Sequence, residues 1–444
     1  MSNAILLELP YHKSSIDLFS HIRQLPYAVW LDSSFPDGYK GRYDIMAAEP
    51  SRVIHAIDGN VFNDLRQIIK DEFDYQYSPD PDLPFIGGAI GFLNYNLSDE
   101  KLRHTIKQQK PINTPLSEIG IYHWTVIQDH RRRRCVLVCS PKVDKEKRNY
   151  LVDLFTQHEL NDRARARLTS PFKTTISKQE YQHGFTKIQN YILAGDCYQV
   201  NYTQHFSATF SGDPWAAYKI LRQEAKAPFS AFFNTPSGAV LSVSPERFIK
   251  VAGKHVETKP IKGTQPRHED AFIDAENARN LCNSKKDKSE NLMIVDLMRN
   301  DIGRHCVAGT VIVDKLFDLE SYSNVHHLVS TISGELSQSA DALNLLEDCF
   351  PGGSITGAPK LRSMEIINEL EATQRSVYCG SMFYFSADGK LDSSICIRTM
   401  LVQDGAIHCW GGGGIVADSN CDSEYRESIQ KVERFMKALE TKLT

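Results

Sequence analysis

Long apolar runs are absent from this 444-residue chain. None approaches the roughly 18 consecutive apolar residues that a membrane-spanning helix needs. The N-terminus, "MSNAILLELPYHKS", has no basic leader ahead of its short apolar stretch and reads as that of a cytoplasmic protein. Excess charge is lacking too. With 51 basic and 55 acidic residues the net charge is −4, so no overall field draws the chain to nucleic acid, and an anionic ligand must be held by a local site. The basic block Arg131 to Arg134 lies between the strand-like runs "IYHWTVIQ" and "CVLVCS" and reads as a solvated hairpin turn. Metal-binding cysteine patterns are missing: the ten cysteines include no CxxC pair and no Cys/His set at zinc spacing, and read as reduced, mostly buried thiols. Nucleotide fingerprints fail as well. In "GGSITGAPK" Ala358 and Pro359 stand where a P-loop needs its lysine and Ser/Thr, and "GGGGIVADS" comes too near the end of the chain to open a dinucleotide-binding unit.

What is present is an ordinary soluble composition, 41% hydrophobic and 24% charged, able to bury a large core. Short alternating runs fill residues 1–170, among them "AVWLDSS", "RVIHAIDG" and "FIGGAIGFLNYN", with helices expected near 15–25, 61–72 and 144–158. Polar, aperiodic 161–175 is the linker candidate. Beyond it, Ser177 and Glu180 form a capping box for a helix carrying Tyr181, Phe185, Ile188 and Ile192, which Gly195 stops. One long helix is expected over about 271–300, and others near 340–349, 359–370 and 423–441. Strands and helices mix without a βαβ beat, which predicts an α+β fold built on large antiparallel sheets.

Several residues could carry chemistry. In "TKPIKGTQPR", Pro260 marks a strand end or edge, and Gly263-Thr264 reads as a turn. Lys262 there is either a solvated charge or a nucleophile whose pKa the neighbouring Lys259 would depress if the two heads met. Glu424 and Glu427 share one face near the start of a helix, and Asp287 and Glu290 repeat the spacing. Each pair is either a surface face or part of a site for a hard divalent cation. His326-His327 sits among apolar residues, so it offers a satisfied core histidine or an acid/base group. Arg398 in "SICIRTML" is a costly charge to bury and needs a carboxylate, of the protein or of a ligand. The run Gly411–Gly414 suits either close backbone packing or backbone N–H groups approached by a ligand.

Taken together, "TKPIKGT", "ENLMIVDLMRNDIGR", "VHHLVST", "FPGGSITGAPK", "GGGGIVADS" and "EYRE" stand in the order and spacing that resemble the chorismate-utilising enzymes, over roughly 176–438. The resemblance implies a two-layer antiparallel sandwich with helices outside. Residues 1–170 would be integrated into it and carry a tryptophan pocket, and 171–444 would form the chorismate-binding catalytic region. It further implies Mg²⁺ held by Glu290 and Glu427 with Glu424 joining. Arg398, Tyr378, Ser354 and the backbone of Gly412 and Gly414 would hold substrate, and Lys262, Glu246 and His327 would act in catalysis. Anthranilate-forming members typically read PIAGT, so Lys262 points to the branch that aminates C4 without losing pyruvate, with the anthranilate-forming branch as the alternative. Isochorismate-forming members carry a water-activating lysine where this chain has Gln199. No nucleophile-elbow cysteine with a partner His-x-Glu is present, so ammonia is expected from a separate glutamine amidotransferase in a heterodimer. "WLDSS" and "APFSAFF" resemble the walls of the family's tryptophan pocket, at Ser33, Pro228, Phe229 and Ser230.

Overall fold

The computed structural model describes residues 3–443 apart from 37–40, 57–59, 74–78, 103–111 and 158–163. Two antiparallel sheets dominate it. A 13-stranded sheet runs in the order Ile5–Leu9, Arg134–Cys139, Trp124–Asp129, Tyr43–Ala47, Val29–Asp32, Phe229–Thr235, Gly238–Ser244, Thr399–Gln403, Ala406–Ile415, Gln199–Gly212 and Lys173–Thr174, with Ala166–Leu168 and Gly357–Ala358 also paired to Gln199–Gly212. A 10-stranded sheet runs Ile261–Pro266, Val325–Glu335, His255–Thr258, Arg247–Ala252, Leu391–Ile395, Ser381–Ser386, Gly88–Leu93, Ser117–Tyr122 and Arg52–His55, with Ile312–Ser321 also paired to Val325–Glu335. Both mix strands from the two ends of the chain.

Period-two alternation decides which residues enter which layer. Val29, Ala231, Phe233 and Val240 point between the sheets, beside Ile90, Phe92 and Ile119 of the second sheet. Their neighbours Trp30, Phe232 and Leu241 point to the opposite face, where the helices Ser15–Ser20, Lys145–Thr156, Pro214–Ala225 and Cys421–Lys442 cover them. Phe19, Trp30, Trp215 and Phe232 pack there with ring centroids 5.2 to 5.8 Å apart in stacked, tilted and edge-on pairs, within the separations at which aromatic pairs attract. The sandwich with outer helices thus matches the expectation, and among the described residues no helix is long and apolar enough to cross a membrane.

Local expectations hold in part. The Ser177/Glu180 capping box forms, and the helix Lys178–Leu193 buries Tyr181, Phe185 and Ile188. The first helix is shorter than expected, Ser15–Ser20. The long helix divides into Ala271–Asn283 and Lys285–Gly303, because Ser284 leaves helical geometry and its Oγ accepts from the Asp287 N–H at 3.2 Å, capping the second helix. Of the linker candidate, 161–163 lie outside the described residues; the rest supplies Ala166–Leu168 and Lys173–Thr174, short strands on Gln199–Gly212.

Candidate active site

Lys262 owes its direction to a bulge. Strand Ile261–Pro266 ends the 10-stranded sheet, after Pro260, and its register on Val325–Glu335 shifts between Lys262 and Thr264. Gly263 takes φ +78 there, and an added Cβ would lie 2.7 Å from Leu281 and 2.9 Å from Asp287. The expected turn is therefore a β-bulge under the helices, a device that re-aims a side chain. Lys262 Nζ donates to the Ser354 carbonyl at 3.4 Å, and Ser354 Oγ donates to Glu246 at 2.7 Å, so one serine joins amine and carboxyl. The turn Gly353–Ile355 brings Ser354 in, with the preceding Gly352 pressed on Ile395 and Phe248 and Gly353 on Leu297, where a Cβ has no room.

The surroundings set the charges. Burial lowers the Lys262 pKa, as does nearby Lys431, against the opposing pull of Glu290, Glu246 and Glu427. Lys259 is not the cause, since its ammonium turns to Glu320 at 3.2 Å. Burial pushes Glu246 up to about 7, although Ser354, Lys262 and Arg398 pull the other way. His327 is 1% exposed; its Nδ1 meets Thr264 Oγ1 at 2.9 Å and its Nε2 is buried without a partner. Burial, with Arg398 nearby, lowers its pKa to about 3, so the ring is neutral at pH 7. Arg398 sits at φ 52. Its guanidinium makes no ion pair with the described residues, and burial brings its pKa down to about 10. A half-buried guanidinium with no ion-pair partner among the described residues is suited to receiving an anion.

The acidic residues converge across the glycine strand. An added Cβ on Gly413 would lie 3.1 Å from Glu424 Oε2 and 3.5 Å from Glu427 Oε1. Lys286 links Glu290 at 3.8 Å with Glu424 at 3.3 Å, and Lys431 meets Glu427 at 2.8 Å. Glu290 is raised by burial, with Glu427 and Asp287 adding repulsion that Lys262 and Lys286 oppose. Ser419 Oγ donates to Glu424 at 2.8 Å. Among the described residues no three acidic, histidine or cysteine side chains form a ready-made metal cage. Hard oxygen donors that supply one or two ligands and leave the rest to water and an anionic substrate fit Mg²⁺, and this donor set does so.

Gly412 and Gly414 pair with Thr203 and Asn201 on one edge, while pairing with the other neighbouring strand ends at Cys409. The Tyr378 ring stacks on Trp410, two residues before Gly412, with centroids 6.0 Å apart. Sequence reasoning missed the roles of Lys286 and Lys431, although the Glu427/Lys431 spacing of four was a visible sign. The Gln199 amide, singled out in the sequence only as standing in place of a water-activating lysine, is buried without a partner against Gly414.

A separate cavity of about 460 Å³ lies toward the N-terminal half, lined by Ser33, Pro228, Phe229 and Ser230 together with Arg247, Lys259, Glu320 and Tyr322. Ser33 Oγ is buried there without a partner, and the Arg247 guanidinium lies 4.9 Å from the Phe229 ring centre. Beneath it, buried Asp32 accepts from Arg222 at 2.6 Å and Tyr218 at 2.9 Å.

A chorismate binding enzyme family model matches residues 27–437. The chain is 42% identical over 456 residues to the aminodeoxychorismate synthase component 1 of Escherichia coli, covering 99% of each, and 41% identical to that of Salmonella typhimurium, covering 98% of each. Among solved structures it is similar to anthranilate synthase component I from Streptococcus pneumoniae, with TM-score 0.79, 29% identity, and coverage of 90% of this chain and 93% of that one.

Proposed function

The chain belongs to the chorismate binding enzyme family, and from that premise we propose that it aminates chorismate at C4 as component 1 of an aminodeoxychorismate synthase. The observation that carries this reading is Lys262, an amine of lowered pKa joined through Ser354 to a carboxyl whose pKa is about 7. A neutral amine is a nucleophile, and a carboxylic acid still protonated near pH 7 can release a hydroxyl as water.

Lys262 Nζ adds at C2 of the ring while the C4–O bond breaks, and Glu246 gives its proton to the departing hydroxyl. Ammonia then forms the C4–N bond as the C2–N bond breaks, which returns Lys262 as the free amine, and the new C4 ammonium gives a proton back to the Glu246 carboxylate. Two allylic displacements replace one difficult substitution. Arg398 pairs with the side-chain carboxylate, with Gly412 and Gly414 offering backbone and Tyr378 bordering them. His327, neutral, faces the ring with Nε2 free. Glu290 and Glu427 would hold Mg²⁺, supported by Glu424, and that ion would neutralise the ring carboxylate and offset the negative charge of its acidic ligands.

Ammonia would come from a glutamine amidotransferase partner, which the designation component 1 of the relatives supports. The unpartnered Ser33 hydroxyl and the aromatic, cationic wall support tryptophan in the second cavity.

Mass spectrometry of products and of intact protein, after mixing chorismate, Mg²⁺ and ammonium with wild type and with Lys262→Ala, tests the reading. Aminodeoxychorismate from wild type, and a chorismate-derived adduct absent from the variant, are expected. Anthranilate and pyruvate from wild type would transfer the chain to the anthranilate-forming branch.

A further inference from the structure

Thr264 Oγ1 meets His327 Nδ1 and the Gly263 backbone also bonds the imidazole, while Nε2 has no partner among the described residues. Against the imidazole lies Tyr322, whose ring meets it edge-on at 64° with centroids 5.7 Å apart. Tyr322 is itself tied down at both ends. Its N–H donates to the Val325 carbonyl at 2.8 Å, and its hydroxyl donates to Glu320 Oε2 at 2.7 Å. Glu320, 6% exposed, in turn accepts from Lys259 at 3.2 Å. The register repeats the connection, with Glu320 opposite His327 on the neighbouring strand.

Lys259, Glu320 and Tyr322 also line the second cavity. The first lysine of "TKPIKGT" thus faces the cavity through this anchor while the second serves the active site, and Tyr322 is the wall between them.

We propose that Tyr322 is a positioning residue for His327, clamped by the Glu320–Lys259 pair so that the imidazole Nε2 keeps its aim at the substrate ring. The proposal rests on the reading of the Lys262 site given above.

The test is a double-mutant cycle on the full chain with chorismate, Mg²⁺ and ammonium. Tyr322→Leu removes the ring, Tyr322→Met fills its volume without its rigidity should the leucine variant not fold, and Tyr322→Phe keeps the ring. The expected result is a loss in kcat of roughly 10- to 100-fold for Leu or Met, the scale on which small misplacements act, with the KM for chorismate within about twofold and a smaller but measurable loss for Phe, which keeps the ring and gives up the hydroxyl that Glu320 holds. Combining Tyr322→Leu or Tyr322→Met with His327→Ala should be no slower than His327→Ala alone, because a residue that acts only through another adds nothing once that other is gone. Multiplicative losses in the double variant would overturn the proposal, as would full activity of Tyr322→Leu, Tyr322→Met or His327→Ala. Anthranilate in place of aminodeoxychorismate would sink the functional reading instead, and the cycle would still be read on chorismate consumption.

Discussion

Burial moves the Glu246 pKa up to about 7 and the Lys262 pKa down, the directions that the proposed acid and nucleophile need. On that reading Glu246 serves while protonated, so turnover at a fixed concentration of free ammonia should fall as pH rises past about 7, where Glu246 ionises. A pH profile of kcat checks this. Glu246→Gln should remove the alkaline limb and lower kcat by about 10²- to 10⁴-fold, the usual worth of general acid catalysis. Stability follows the same titration. The folded state holds this proton up to about 7 while the unfolded chain releases it near 4.5, so folded Glu246 binds more protons in between, and its contribution is full below that window and lost as pH rises through it. Glu246→Gln should therefore be more stable than wild type at pH 8 by urea denaturation, a stabilisation gained at the expense of activity. Sequence could nominate both residues through their motifs but could not supply their pKa values, because desolvation depends on what closes over them.

The strand Ala406–Ile415 against the helix Cys421–Lys442 shows what a glycine run does for an element. At Gly411 a Cβ would lie 2.1 Å from the Ser428 carbonyl, whereas at Gly413 it would meet the ends of Glu424 and Glu427. Gly411→Ala should thus push the helix off the strand and lower the thermal midpoint, measured by calorimetry. Gly413→Ala should fold normally yet need more Mg²⁺ for half-maximal rate, because its methyl crowds the carboxylates. The sequence left packing and ligand contact as alternatives for this run. The structure assigns packing to Gly411, which abuts the helix, and an approach to the acidic side chains to Gly413. Between the strand Val29–Asp32 and the helix Pro214–Ala225, the Asp32–Arg222 pair is buried on both sides. Asp32→Ala leaves the guanidinium uncompensated and should cost about 3–5 kcal/mol in chemical denaturation.

Across the whole molecule, each sheet draws strands from residues before and after 170, so neither half owns a complete layer. Calorimetry should show one unfolding transition, and residues 171–444 expressed alone should be insoluble, since removing strands exposes both cores at once. The sequence by itself determined the antiparallel α+β class, through period-two runs without a βαβ beat, and the capping box at Ser177, because both signals are local. It also supplied the ordered motif blocks that carry the family. Only the tertiary structure decided that Ser354 joins Lys262 to Glu246, that Lys259 turns instead to Glu320, and that Ser284 divides the predicted long helix. The physical reason is distance along the chain. Lys262 and Ser354 are brought together by the packing of a sheet edge, a helix pair and a turn, and no local pattern encodes which neighbour a buried charge will meet.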